Sequence, residues 1–248
     1  MEIRSFKSII TLLLFALSFL SFKQSLAQKK FSKTYTAGKE VRLQLINRSG
    51  TITVEGWDKN SVQISADLET PAATILPQTL NGTIIINVVK DNQGKDDVGS
   101  VNFYIKLPYS SSVSIETIMG NLSVSNITGG LVRAHVTSEG DITLTNISAL
   151  SVSAENVIGD IFFDGDIKPG GVYRFSSVRG NISLRLPFEA SFRLIATAPS
   201  TRDISVGPLM NLGLRFVSEG RRVIGQIGDG NATLTVTNQR GKIIFLPR

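Results

Sequence analysis

The sequence predicts an all-β protein, a single-domain β-solenoid (β-helix-like) of stacked coils of about twenty residues with irregular capping ends. Three observations carry this expectation. Gly-Asn or Gly-Asp recurs before an apolar alternation in Gly120-Asn121-Leu122-Ser123-Val124, Gly140-Asp141-Ile142-Thr143-Leu144, Gly159-Asp160-Ile161-Phe162-Phe163 and Gly180-Asn181-Ile182-Ser183-Leu184, with glycines 20, 19 and 21 residues apart. A second alternating series, Val113-Ser114-Ile115, Val132-Arg133-Ala134, Val152-Ser153-Ala154, Tyr173-Arg174-Phe175 and Phe192-Arg193-Leu194, runs between them at nearly the same period. No helix-period segment of useful length follows the first 27 residues.

Two short strands per repeat, each apolar on one side, suit a flattened coil that buries one face of every strand. Glycine tolerates positive φ at the turn, and Asn or Asp bonds the local backbone there. Stacked at about 4.8 Å per rung, the aliphatics Leu122, Ile142, Ile161 and Ile182 form one inward column, and Asn121, Asp141, Asp160 and Asn181 a ladder at the corner. Regular repeats are therefore expected from about 112 to 194, within a domain spanning 28–248. The looser copies at Gly50, Gly82, Gly230 and Gly241 are assigned to end regions that cap the stack. Asp91 to Ser100 and Pro199 to Gly230 are the expected excursions.

Residues 1–27 read as a signal peptide. Arg4 and Lys7 are followed by an apolar run from Ile9 to Phe22 and by Ser25-Leu26-Ala27, a small-residue cleavage site. The expected mature chain begins at Gln28 and carries no transmembrane helix. It is exported to the periplasm, the cell surface or the medium. Without the leader, 23 Lys and Arg face 19 Asp and Glu. That mild, scattered excess gives no nucleic-acid footprint. Zero cysteines exclude a disulfide framework, a thiolate zinc site, a cysteine nucleophile and a lipoprotein anchor.

No catalytic constellation emerges, and no cofactor is expected. His135, the only histidine, falls on a polar strand face beside Arg133 with no nucleophile elbow nearby. Asp160, Asp164 and Asp166 cluster in one repeat. Turn and corner chemistry is their first reading, with calcium binding, and then an acid/base role on a polysaccharide, for which Glu116 is a further candidate, as alternatives. Trp57 is a packing residue of the amino-terminal cap, or else a platform for sugar stacking. Phe162 points outward by period two, an ordinary isolated exposed aromatic or else the mark of a contact surface. Phe162, Asp164, Asp166 and Trp57 are thus the candidate ligand-binding residues. The N-x-Ser/Thr matches follow from the repeat itself.

Four segments carry a family resemblance: Asn47 to Asp58, with an opening stretch similar to N-G-x-[IV]-x-V-x-G-W-D; Leu107-Pro108 through Val113 to Thr117 into Gly120-Asn121-Leu122; Leu186-Pro187 to Ile204-Ser205-Val206; and Gly228-Asp229-Gly230 to Gly241-Lys242-Ile243. Together they resemble the DUF4097 family of β-rich, adhesin-like bacterial proteins. The resemblance implies a β-solenoid-like fold and an adhesin role, without a ligand. The sequence expectation is an exported, non-enzymatic binding or surface-structural protein. Its Ser-, Thr- and Asn-rich strand faces make weak multivalent contacts with a glycan, a cell-envelope surface or a protein partner. The alternatives are a polysaccharide-active β-helix enzyme and a cell-envelope scaffold.

Overall fold

The computed structural model describes residues 29–199 and 203–248, so the expected leader lies outside the described residues. Alternating burial along the strands of the stacked coils produces two facing sheets, of ten and eleven strands with the caps included, called A and B. Each coil runs up a B strand, turns at glycine, and returns along an A strand. The pairs are β2 (Arg42–Ser49) with β3 (Ile52–Trp57), β8 (Ser112–Met119) with β9 (Leu122–Ile127), β10 (Leu131–Glu139) with β11 (Ile142–Ile147), β12 (Ser151–Ile158) with β13 (Ile161–Gly165), β14 (Val172–Arg179) with β15 (Ile182–Leu186), and β20 (Ala232–Asn238) with β21 (Ile243–Pro247). Neighbouring coils pair in parallel in both sheets, so the solenoid expected from the sequence is present.

The stack extends beyond its expected bounds. Gly50 and Gly241, assigned by spacing to the ends, occupy the same glycine column as Gly120, Gly140, Gly159 and Gly180. A Cβ placed on Gly120 would lie 2.2 Å from the Gly50 carbonyl oxygen, and one on Gly241 would lie 1.9 Å from that of Gly180. Coil-to-coil contact through bare backbone is what makes the glycine obligatory, more than positive φ alone. Residues 58–111 and 187–231 interrupt the period in sequence without interrupting it in space. The series also needs one correction. Phe192-Arg193-Leu194 lies in β16 (Phe192–Thr197), which pairs with β20, and β20 in turn pairs with β14. The carboxy-terminal coil is inserted between two segments that the sequence places in succession.

The insertions form the caps. At one end β7 (Val101–Pro108) extends sheet A beside β3, followed by antiparallel β4 (Ser61–Leu68) and β1 (Lys29–Thr36). Beside β2, sheet B continues into the hairpin of β6 (Thr83–Asn87) and β5 (Gln78–Leu80). At the other end β19 (Arg222–Ile227) and β18 (Leu214–Val217) follow β16 antiparallel, and β17 (Ile204–Ser205) covers the start of β21. Lys29, Lys30 and Lys33 on the edge strand β1 discourage strand addition. Among the described residues the excursions hold one α-turn, Val88–Asp91, and a 3-10 segment, Gly207–Leu212.

The expected corner ladder is present, and its hydrogen bonds explain the Asn/Asp preference. Asp141 N–H donates to Asn121 Oδ1 (3.0 Å), Asp160 N–H to Asp141 Oδ1 (2.8 Å), Asn181 N–H to Asp160 Oδ1 (2.7 Å) and Lys242 N–H to Asn181 Oδ1 (3.1 Å). Each side chain therefore caps the backbone of the next coil. Lys242 has no acceptor to offer, and the ladder ends there. Inside the corner runs a second polar column, unforeseen from the sequence, of Asn47, Thr117, Asn156, Ser177 and Asn238, all buried. Each stands three residues before a column glycine. Asn156 Nδ2 donates to the Gly140 carbonyl (3.1 Å), and Asn238 Nδ2 to those of Gly180 (2.8 Å) and Lys242 (3.2 Å).

Between the sheets, the Leu122, Ile142, Ile161 and Ile182 column is buried and is lengthened by Ile52 and Ile243. Side-chain size is balanced across the core. Phe163 from sheet A packs against Phe175, with ring centroids 5.0 Å apart, while at the level of Phe175 the next two B strands on one side contribute only Ala154 and Ala134 and the strand on the other side Val236.

Candidate functional site

Period two turns Thr53, Glu55 and Trp57 of β3 to the outside of sheet A, together with Tyr104 and Lys106 of β7. Register then gathers them: Thr53 pairs with Tyr104 and Glu55 with Lys106. Tyr104 Oη donates to Glu55 Oε2 at 2.7 Å, and Lys106 Nζ lies 3.3 Å from the same oxygen. Lys106 also sits over the Tyr104 ring (5.4 Å) and the Trp57 ring (5.9 Å), with Lys59 5.1 Å from the latter. Trp57 Nε1–H donates to the Ser61 carbonyl at 2.8 Å, which fixes the indole at the start of the cap. The Tyr104 hydrogen bond, then that of Lys106, hold the Glu55 carboxyl below the usual glutamate range. The ammonium of Lys106 is raised by Tyr104 and then by Glu55. Tyr104→Phe is expected to move the Glu55 titration upward in a side-chain NMR pH series; an unmoved titration would mean the hydroxyl is not the cause.

Phe162, Asp164 and Asp166 lie at the other end of this face. Phe162 is outward, as period two requires, but only half exposed, between Thr143 and Ser183 on the flanking strands. Asp164 is ion-paired with Arg185 (3.6 Å) and Arg248 (3.2 Å), and Asp166 with Arg248 (2.8 Å). Between the two ends run Ser123, Ser125, Thr143 and Thr145, outward on β9 and β11 in register. The sequence pointed to Trp57 and Phe162, but missed Tyr104, Glu55 and Lys106. The alternation of Val101 to Leu107 marks Tyr104 and Lys106 as outward, while their juxtaposition with Glu55 depends on a parallel pairing across an insertion.

The three aspartates do not assemble as a metal site. Asp160 belongs to the corner ladder, four residues or about 13 Å of strand from Asp164. Asp164 and Asp166 are neutralised by arginine, and among the described residues no group of three His, Cys, Asp or Glu side chains could hold a metal ion. Glu116 stands on the opposite face, outward on sheet B, with Oε2 3.8 Å from His135 Nδ1. It therefore lies on a different face of the solenoid from those aspartates. Among the described residues no helix is long and apolar enough to cross a membrane.

These elements define an all-β solenoid with two outer sheet faces and irregular caps. No family model matches the chain, and no curated protein does. Among solved structures, a putative cell adhesion protein from Clostridium sporogenes is 13% identical, with 89% of this chain and 98% of that one covered at a TM-score of 0.47. A putative adhesin from Bacteroides fragilis is 11% identical, with 89% and 98% covered at 0.42. A putative lipid binding protein from Parabacteroides distasonis is 9% identical, with 88% and 97% covered at 0.35. Likeness at these scores assigns no function.

Proposed function

We propose that this chain is an exported, non-enzymatic binding or surface-structural protein, adhesin-like and of the DUF4097 kind, acting through its polar strand faces. The observation that supports this best is the outer face of sheet A, where Ser123, Ser125, Thr143 and Thr145 lie between the Trp57–Tyr104–Lys106–Glu55 cluster and Phe162. Three strand spacings, about 14 Å, separate β3 from β13. Such a face offers hydroxyl donors and acceptors between two aromatic ends, which suits weak contacts repeated over a surface. The leader read from Arg4 to Ala27 supports export. Retention of the exported, purified protein on glycan arrays and on cell-envelope fractions tests the reading. The double variant Trp57→Ala, Phe162→Ala is expected to lose about tenfold in retention, or about 1.4 kcal/mol, while its melting temperature falls little. A clean monomer that is retained on no surface would refute the proposal.

A further inference from the structure

The chain is electrically lopsided. Residues 172–248 contain eleven Lys and Arg against four Asp and Glu, whereas residues 28–171 contain twelve against fifteen. The kind of cation changes as well: ten of those eleven are arginine, whereas nine of the twelve are lysine. The topology then concentrates the arginines. On the outside of sheet B one row crosses five strands, from Arg174 through Thr235, Ile195 and Ile224 to Arg215. Arg193 stands in the row on one side of it, beside Thr233 and Gln226, and Arg222 in the row on the other, beside Thr197. All four arginines are exposed. None has a carboxylate within ion-pair range among the described residues, in contrast to Arg185, Arg221 and Arg248. Four strand spacings by the two spacings between these three rows give a patch of about 19 by 14 Å.

From this arrangement we infer that the carboxy-terminal half of the outer face of sheet B binds an acidic polysaccharide through Arg174, Arg193, Arg215 and Arg222. The inference rests on the reading of the protein as a binding module and names the ligand class and the face. Charge complementarity selects a polyanion. The guanidinium fork selects planar oxyanions such as uronate carboxylates, which it grips through paired hydrogen bonds. Thr233, Thr235, Thr197 and Gln226 between the arginines supply partners for sugar hydroxyls. An anionic membrane fits less well. It attracts lysine and arginine alike, and the two apolar residues of the central row, Ile195 and Ile224, are half-buried and do not project for insertion.

The test measures retention of the intact exported protein on immobilised polygalacturonate, on neutral dextran and on vesicles rich in phosphatidylglycerol. The expected result is salt-sensitive retention on polygalacturonate, reduced at least about tenfold when all four arginines are changed to Gln. The fourfold Arg→Lys variant is expected to lose at least about threefold, because lysine keeps the charge and loses the fork. A control of equal charge, Lys29, Lys30, Lys33 and Lys39 to Gln, is expected to stay within about twofold. All variants are compared at matched melting temperature and circular dichroism. Equal losses in the arginine and control variants, undiminished binding by the lysine variant, or binding to vesicles alone would each overturn the inference. Retention on dextran that ignores the arginines would also overturn it while leaving the binding-module reading in place; no retention on any surface would overturn both.

Discussion

Gly159→Ala is expected to lower stability by about 3–5 kcal/mol, a fall of about 10 °C in melting temperature for a chain of this size. Gly159 sits in the glycine column with φ +130°, and a Cβ there would stand 2.3 Å from the Gly140 carbonyl oxygen. The usual escape, a small backbone shift, is closed on both sides. Gly140 N–H donates to the Ile158 carbonyl at 2.8 Å, and Ile142 N–H to the Asp160 carbonyl at 2.9 Å, so the turn below is held by the ladder that a methyl group would push apart. Gly170→Ala is the matched comparison. Its φ of +74° is also left-handed, but nothing lies within 4 Å of the added carbon, so its cost is expected near 1 kcal/mol. Thermal and urea unfolding of the two variants separates backbone strain from loss of stacking. Equal destabilisation would mean the column is not what demands glycine.

Asn238→Ala is expected to cost about 3 kcal/mol. Its amide is 3% exposed and bridges two coils, donating to the Gly180 and Lys242 carbonyls while its Oδ1 accepts from Arg240 N–H at 3.0 Å. Truncation strands buried backbone groups at about 1–3 kcal/mol each, partly relieved by any water that enters. Asn238→Leu refills the volume without restoring the bonds, so it is expected to be destabilised to a similar degree in the same urea titration. If leucine restores wild-type stability, the residue is a space-filler and the inner polar column is not a fastening between coils.

These two positions show what the sequence could and could not reveal. Repeating Gly-Asn and Gly-Asp, with alternation on both sides, specify a local shape that any neighbouring copy of the repeat shares. The solenoid, the inward aliphatic column and the corner ladder were therefore legible from residues 112–194 alone. The inner polar column was legible in principle as a polar residue three positions before each column glycine. It went unread because Asn, Thr and Ser on a strand look like solvent-facing alternation unless the corner carbonyls they satisfy are known. The aromatic and charged cluster was half legible: Trp57 stood out, whereas Tyr104 and Lys106 joined it only through the register of β7 on β3.

What the sequence determined was the coil: its length, its two strands, the glycine at its corner and the acceptor that follows. These are set by local backbone conformation and by the period-two burial of side chains, which act over a few residues. What only the tertiary structure decided was the order of coils. Parallel pairing leaves the intervening chain free to be long, so residues 58–111 and 187–231 could loop out as caps while Gly50 and Gly241 completed the column, and β20 could enter between β14 and β16. The same freedom gathered four arginines, scattered over 49 residues of sequence, onto one side of sheet B.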